Sequence, residues 1–126
     1  MLCNSKIIAF VATANPSEAK RFYESVLGFT LLEDSPYALV FEVNDTTLRI
    51  QKVERVNVVA YTVLGWQVTD ISSVIENLSK QGVAFERFAS LSQDEAGIWA
   101  TPDGSKVAWF RDPDGNTLSL TERRTQ

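Results

Sequence analysis

Six consecutive apolar residues, Ile7-Ile8-Ala9-Phe10-Val11-Ala12, form a run of the length of one buried strand. Asn15-Pro16-Ser17-Glu18 then carries the marks of a helix start. It offers an N-capping side chain, proline at the first helical position and an acid three residues after the cap. Ala19, Phe22, Tyr23, Val26 and Leu27 recur at helical spacing, and Gly28 is placed to end the helix. Tyr37–Val43 and Thr46–Val53 read as strands joined at Asn44-Asp45, two residues that tolerate the positive φ of a tight hairpin.

The order then recurs. Tyr61–Val68 predicts a strand, and Asp70 caps a helix carrying Ile71, Val74, Ile75 and Leu78, which Gly82 ends. Val83-Ala84-Phe85 predicts the start of another strand. A polar stretch around Ser90–Gly97 follows, and the segment Ala89–Gly97 reads either as a mobile loop over a cavity or as a plain connector. Ile98–Thr101 and Lys106–Phe110 flank the turn Pro102-Asp103-Gly104. A second turn, Asp112-Pro113-Asp114-Gly115-Asn116, leads into Thr117–Thr121. The caps Asn15 and Asp70 lie 55 positions apart, and the stops Gly28 and Gly82 lie 54 apart. Thr46–Ile50 resembles Asn116–Leu120 at an offset of 70, the excess falling in the longer second-half loop. The pattern predicts a βαβββ unit written twice, one module at about 5–54 and the other at about 57–123, within a single domain over 1–126.

Composition narrows the chemistry. With 44% apolar and 22% charged residues, this is an ordinary globular chain of 126 residues, long enough to bury a core without staples. It contains no histidine, which removes Ser-His-Asp and Cys-His catalysis and histidine metal sites. The single cysteine, Cys3, excludes an intramolecular disulfide and a cysteine zinc cluster, and it has no base beside it to make it a nucleophile. Net charge is −4 with no basic run, so nucleic acid is not an expected partner. No apolar stretch reaches membrane-spanning length, and the N-terminus lacks the parts of a secretory signal. A cytoplasmic location without membrane contact is the expectation.

Phe22-Tyr23-Glu24-Ser25-Val26-Leu27-Gly28-Phe29 resembles the FY-x-x-x-LGF helix end of the vicinal oxygen chelate superfamily, which includes glyoxalase I, bleomycin-binding proteins and extradiol dioxygenases. Phe110-Arg111-Asp112-Pro113-Asp114-Gly115-Asn116 resembles the F-x-DPDGN turn before its last strand. The resemblance implies an α+β fold of paired βαβββ modules, a mixed sheet curled around a central cavity, often in a homodimer. It also implies four metal-ligand positions, which fall here on Ile8, Arg49, Val63 and Ser119. Ile8 and Val63 have no donor atom, Arg49 brings a fixed positive charge and Ser119 one weak oxygen. No metal, cofactor or catalytic residue is therefore expected.

Strand alternation selects the residues that would line the cavity. The candidate ligand contacts are Phe10, Arg49, Gln51, Tyr61, Gln67, Trp109, Arg111 and Ser119. Arg49 offers a two-donor fork for a carboxylate or phosphate, or alternatively pairs with Glu42 across the hairpin. Trp109 and Phe10 either stack on a conjugated ligand or fill the curved sheet, and Trp66 falls on the helix-facing side. Trp99 is left open between pocket, partner and core. Asp112 and Asp114 are demanded by their turn. Glu42 is the one acidic residue placed on the cavity face, and beside Arg49 it makes a poor base. The reading is a metal-independent small-molecule-binding protein, forming a homodimer, with an apolar or aromatic ligand bearing an anionic group. The alternatives are a lyase, isomerase or dioxygenase of the superfamily with an atypical metal site, or an interaction module whose cavity is packed shut.

Overall fold

The protein, described by a computed structural model over residues 1–124, forms two compact units, Met1–Val58 and Val59–Gln126. The first holds β1 (Ile8–Thr13), α1 (Pro16–Lys20), β2 (Thr30–Asp34), β3 (Ala38–Val43) and β4 (Thr46–Lys52). The sheet order is β1-β4-β3-β2, with β1 parallel to β4 and the other neighbours antiparallel. A parallel pair cannot be joined by a tight turn, so the chain crosses over through a helix and two strands before β4 lies beside β1. Val11, Thr13, Leu39, Phe41, Leu48 and Ile50 are buried on one face of this sheet. Ala19, Phe22 and Tyr23 are buried with them, and the Tyr23 and Phe41 rings lie 6.0 Å apart.

The helix start departs from expectation. Asn15 stands at the N-cap, yet its side chain makes no cap bond. Its N–H instead donates to Thr13 Oγ1 at 3.0 Å, so the strand end orders the entry. After Lys20 the turns widen into a π-helical segment, Arg21–Val26, closed by Leu27 N–H donating to the Phe22 carbonyl at 2.9 Å. Gly28 follows at φ +80°, where a side chain would be strained. β2 carries a bulge between Leu31 and Glu33 that leaves Leu32 exposed.

Asn44 and Asp45 join β3 to β4 with φ of 46° and 66°, the two-residue turn whose twist suits a hairpin. Glycine is the preferred second residue there, because Asp45 carries a Cβ into the left-handed region. Asp45→Gly is expected to raise stability by roughly 0.5–1 kcal/mol. A thermal melt should show this as a midpoint a few degrees higher, and a lower midpoint would refute it.

The second unit repeats the topology. It holds β5 (Leu64–Gln67), α2 (Ile71–Lys80), β6 (Trp99–Ala100), β7 (Lys106–Arg111) and β8 (Thr117–Glu122), in sheet order β5-β8-β7-β6. Asp70 caps α2 as expected, accepting from the Ser73 N–H at 3.2 Å and the Ser73 hydroxyl at 2.8 Å. Glu122 at the end of β8 accepts from the Ile71 N–H at 3.0 Å, which ties the helix start to the sheet. At the other end Val83 N–H reaches the Leu78 carbonyl and Gly82 N–H the Ser79 carbonyl, a Schellman ending that uses Gly82 at φ +92°. Ile71, Ile75 and Leu78 are buried, as are Ala108, Phe110, Leu118 and Leu120 of the sheet.

Two predicted strands are shorter than their apolar patterns. Tyr61–Val68 pairs only over Leu64–Gln67, with Val63 N–H adding one bond to the Thr117 carbonyl. The partner β8 begins at Thr117, directly after the Asp112–Asn116 turn, so Tyr61 and Thr62 lie beyond the end of the ladder. Val83–Phe85 yields one isolated bridge, Phe85 to Phe110, because its antiparallel register runs Val83 past the end of β7 at Arg111.

The connector at 89–97 is cross-tied by its own side chains. The Gln93 amide oxygen accepts from the Phe88 N–H at 2.7 Å, and its NH2 donates to the Glu86 and Gly97 carbonyls. Asp94 Oδ1 accepts from the Ala96 and Ile98 N–H groups. The architecture is α+β, two four-stranded mixed sheets that are not closed. Among the described residues no helix is long and apolar enough to cross a membrane.

Candidate ligand-binding site

Each sheet has one face against its helix and one face turned away from it. On the first sheet the second face carries Ile8, Phe10 and Ala12 of β1, then Thr47, Arg49 and Gln51 of β4. Cross-strand pairs Phe10–Arg49, Val40–Arg49 and Glu42–Thr47 bring these together. Phe10 is 56% exposed and Ile8 50%, so neither fills a core within its own unit. Arg49 is half-buried. Glu42 lies diagonal to it at the expected register, yet no ion pair joins them among the described residues. The structural role offered for this arginine from sequence is therefore not realised.

On the second sheet the corresponding face carries Gly65 and Gln67 of β5, Thr117, Ser119 and Thr121 of β8, and Val107, Trp109 and Arg111 of β7. Trp109 is the centre of an aromatic cluster. Its ring lies 6.2 Å from Trp99 in a stacked arrangement and 5.2 Å from Phe88, edge to face. Its indole N–H donates to Thr62 Oγ1 at 3.1 Å. All three rings remain partly exposed. Beside the cluster the side chains are small, since Ser119 pairs with Trp109 on one side and with Gly65, which has no side chain, on the other.

The predicted contacts thus fall into two sets, Phe10, Arg49 and Gln51 on the first sheet and Gln67, Trp109, Arg111 and Ser119 on the second. Tyr61 lies outside β5 and is 68% exposed. Arg111 is an ion-pair partner of Glu86, with Nε 2.8 Å from the carboxylate, so its charge is already matched. Phe88 and Thr62 had no signal in the sequence, and Trp99 joins the site through its stacking on Trp109. The carboxyls held below the usual range are Asp34, by its bond to Lys52, Asp70, by Ser73, and Asp103, by Thr101. These sit at an ion pair, a helix cap and a turn, and none lies on the open faces.

The register repeats with the offsets seen in the sequence. Phe10 pairs with Arg49 as Gly65 pairs with Ser119, and Ile8 pairs with Thr47 as Val63 bonds to Thr117. A family model for the glyoxalase/bleomycin resistance protein/dioxygenase superfamily matches residues 7–120. The chain belongs to that superfamily. Solved superfamily structures share the fold over nearly its whole length. TnmS3, an antibiotic binding protein from Streptomyces sp. CB03234, is 23% identical with a TM-score of 0.69, covering 98% of this chain and 99% of that one. A glyoxalase/bleomycin resistance protein from Streptomyces sp. CB03234 is 26% identical with a TM-score of 0.67, covering 94% and 100%. A lactoylglutathione lyase from Agrobacterium tumefaciens is 16% identical with a TM-score of 0.74, covering 94% and 93%. No curated protein matches the chain.

The four positions that the sequence resemblance assigns to a metal do not carry the donors of a divalent-cation site. On the first sheet Ile8 supplies no donor and Arg49 a permanent cation, and on the second Val63 supplies none and Ser119 a lone hydroxyl. Among the described residues no three acidic or cysteine side chains group into a metal site.

Proposed function

We infer that this superfamily member is a metal-independent small-molecule-binding protein acting as a homodimer, with an aromatic or apolar ligand that carries an anionic group. The observation that carries the reading is Trp109, a partly exposed indole held by Trp99, Phe88 and Thr62 beside the small side chains of the Gly65–Ser119 pair. A preorganised ring of this kind offers a stacking wall whose position costs little to hold on binding. On the open face of the first unit, Arg49 is half-buried and without an ion pair among the described residues, so its guanidinium is available to an anion. The antibiotic-binding relative TnmS3 supports the general class. Metal independence is supported by the donor set at Ile8, Arg49, Val63 and Ser119.

Two measurements test this. Native mass spectrometry on protein purified without chelator is expected to give a metal-free dimer, and one metal per chain would overturn metal independence. Calorimetric titration with 2-naphthoate, a flat aromatic carboxylate, is expected to show saturable binding. Trp109→Ala should weaken it by about tenfold, the worth of an aromatic contact. Binding unaffected by Trp109→Ala would reject the reading.

A further inference from the structure

A Cβ built on Gly65 would sit 2.5 Å from Ser119 Oγ, closer than real side chains approach. The Ser119 hydroxyl therefore lies over the bare Cα of Gly65, in space that a side chain at position 65 would take, and the two residues together form a shallow polar notch in the sheet face. Ser119 is only 9% exposed, and its hydroxyl has no hydrogen-bond partner among the described residues. Nor is the oxygen sealed from solvent, since no side-chain oxygen or nitrogen among those residues is both buried and unbonded. A hydroxyl in this state has a donor and acceptors to offer whatever enters the notch. The same position in the first module is unlike it. Phe10 stands where Gly65 stands, and Arg49 where Ser119 stands. The repeat therefore keeps the register and changes only the side chains, placing a ring and a cation in one module and a neutral notch in the other.

Given the small-molecule binding inferred above, we propose that Gly65 and Ser119 form a specificity-determining notch that takes an uncharged oxygen, a phenol or carbonyl, on the edge of a flat ring system standing against Trp109. The indole is the cross-strand neighbour of Ser119, so a ring beside it presents its edge toward the notch. A neutral oxygen suits the site because no cation lies in the Gly65–Ser119–Trp109 row. The nearby guanidinium of Arg111 is matched by Glu86. The ligand class is thus narrowed from flat aromatic anions to hydroxylated or quinone-like ones.

The experiment compares 2-naphthoate with a set of its ring-hydroxylated isomers by calorimetry on the full chain. At least one isomer is expected to bind about fivefold more tightly than the parent, the worth of one neutral hydrogen bond. In Ser119→Ala that ratio should fall to about one. Gly65→Ala should remove the preference as well, with the serine intact, because the new methyl needs the space that the Ser119 hydroxyl holds and drives it from its position; melting temperatures of both variants report whether the fold is kept. A preference that survives both substitutions overturns the notch while leaving small-molecule binding standing. A parent that binds in a Trp109-dependent way, with no hydroxylated isomer better, also overturns it. Failure of every naphthoate to bind would overturn both inferences together.

Discussion

Truncating Phe110 to alanine is expected to lower the unfolding free energy by roughly 3–5 kcal/mol, the range for deleting a buried phenylalanine ring. Phe110 is fully buried, 6.2 Å from the stacked Trp66 ring and 5.4 Å from Phe85. It also forms the isolated bridge with Phe85, which ties the segment after α2 to β7. Two losses therefore add: the transfer of a ring from water, and a void that Trp66 and Phe85, anchored on separate segments, fill only in part. Against a typical domain stability of about 5–15 kcal/mol this is a large fraction. Urea denaturation followed by tryptophan fluorescence should show a much lower midpoint. Phe110→Leu, which keeps most of the volume, should lose well under half as much. A Phe110→Ala loss below about 1 kcal/mol would show that this ring is not the centre of the second core.

Asp112→Ala is expected to cost roughly 2–4 kcal/mol, although Asp112 lies in a turn. Its Oδ1 accepts from the Asp114 N–H at 2.9 Å and the Asn116 N–H at 3.0 Å, and its Oδ2 from the Asn116 amide at 2.8 Å. Asp112 is 5% exposed and Asn116 7%, so the donors left behind have little access to water. Asp112→Asn keeps one oxygen for the two backbone donors and should lose less. The turn also sets where β8 begins, and therefore the register of Gly65, Ser119 and Trp109. The same denaturation experiment reads the effect, and equal stability of Asp112→Ala and the parent would reject this account of the turn.

Much of the fold was legible because its signals are local. The hairpin at Asn44-Asp45, the Asp70 cap and the Gly28 and Gly82 stops each depend on a few adjacent residues. In those cases backbone sterics and short-range hydrogen bonds decide the outcome. Alternation along strands also placed Phe10, Arg49 and Gln51 on one face and Gln67, Trp109 and Ser119 on another, since pleating permits no other assignment. Legibility failed where a partner decides. Tyr61–Val68 has the composition of a longer strand, but its ladder stops where β8 stops. Asn15 is a good capping residue, yet the Thr13 hydroxyl meets its N–H and no cap bond forms. Glu42 and Arg49 have the right register for a pair, but register alone does not choose rotamers.

By itself, then, the sequence determined the doubled βαβββ order, the superfamily motifs and the absence of a histidine or cysteine metal site. These follow from residue type, period and spacing. Only the tertiary structure decided that Trp99 and Phe88 flank Trp109, that Glu86 matches Arg111, and that the Ser119 hydroxyl opens over Gly65. Each of those contacts joins residues far apart in the chain or on neighbouring strands. Their distances depend on sheet register and side-chain packing, which no local pattern encodes.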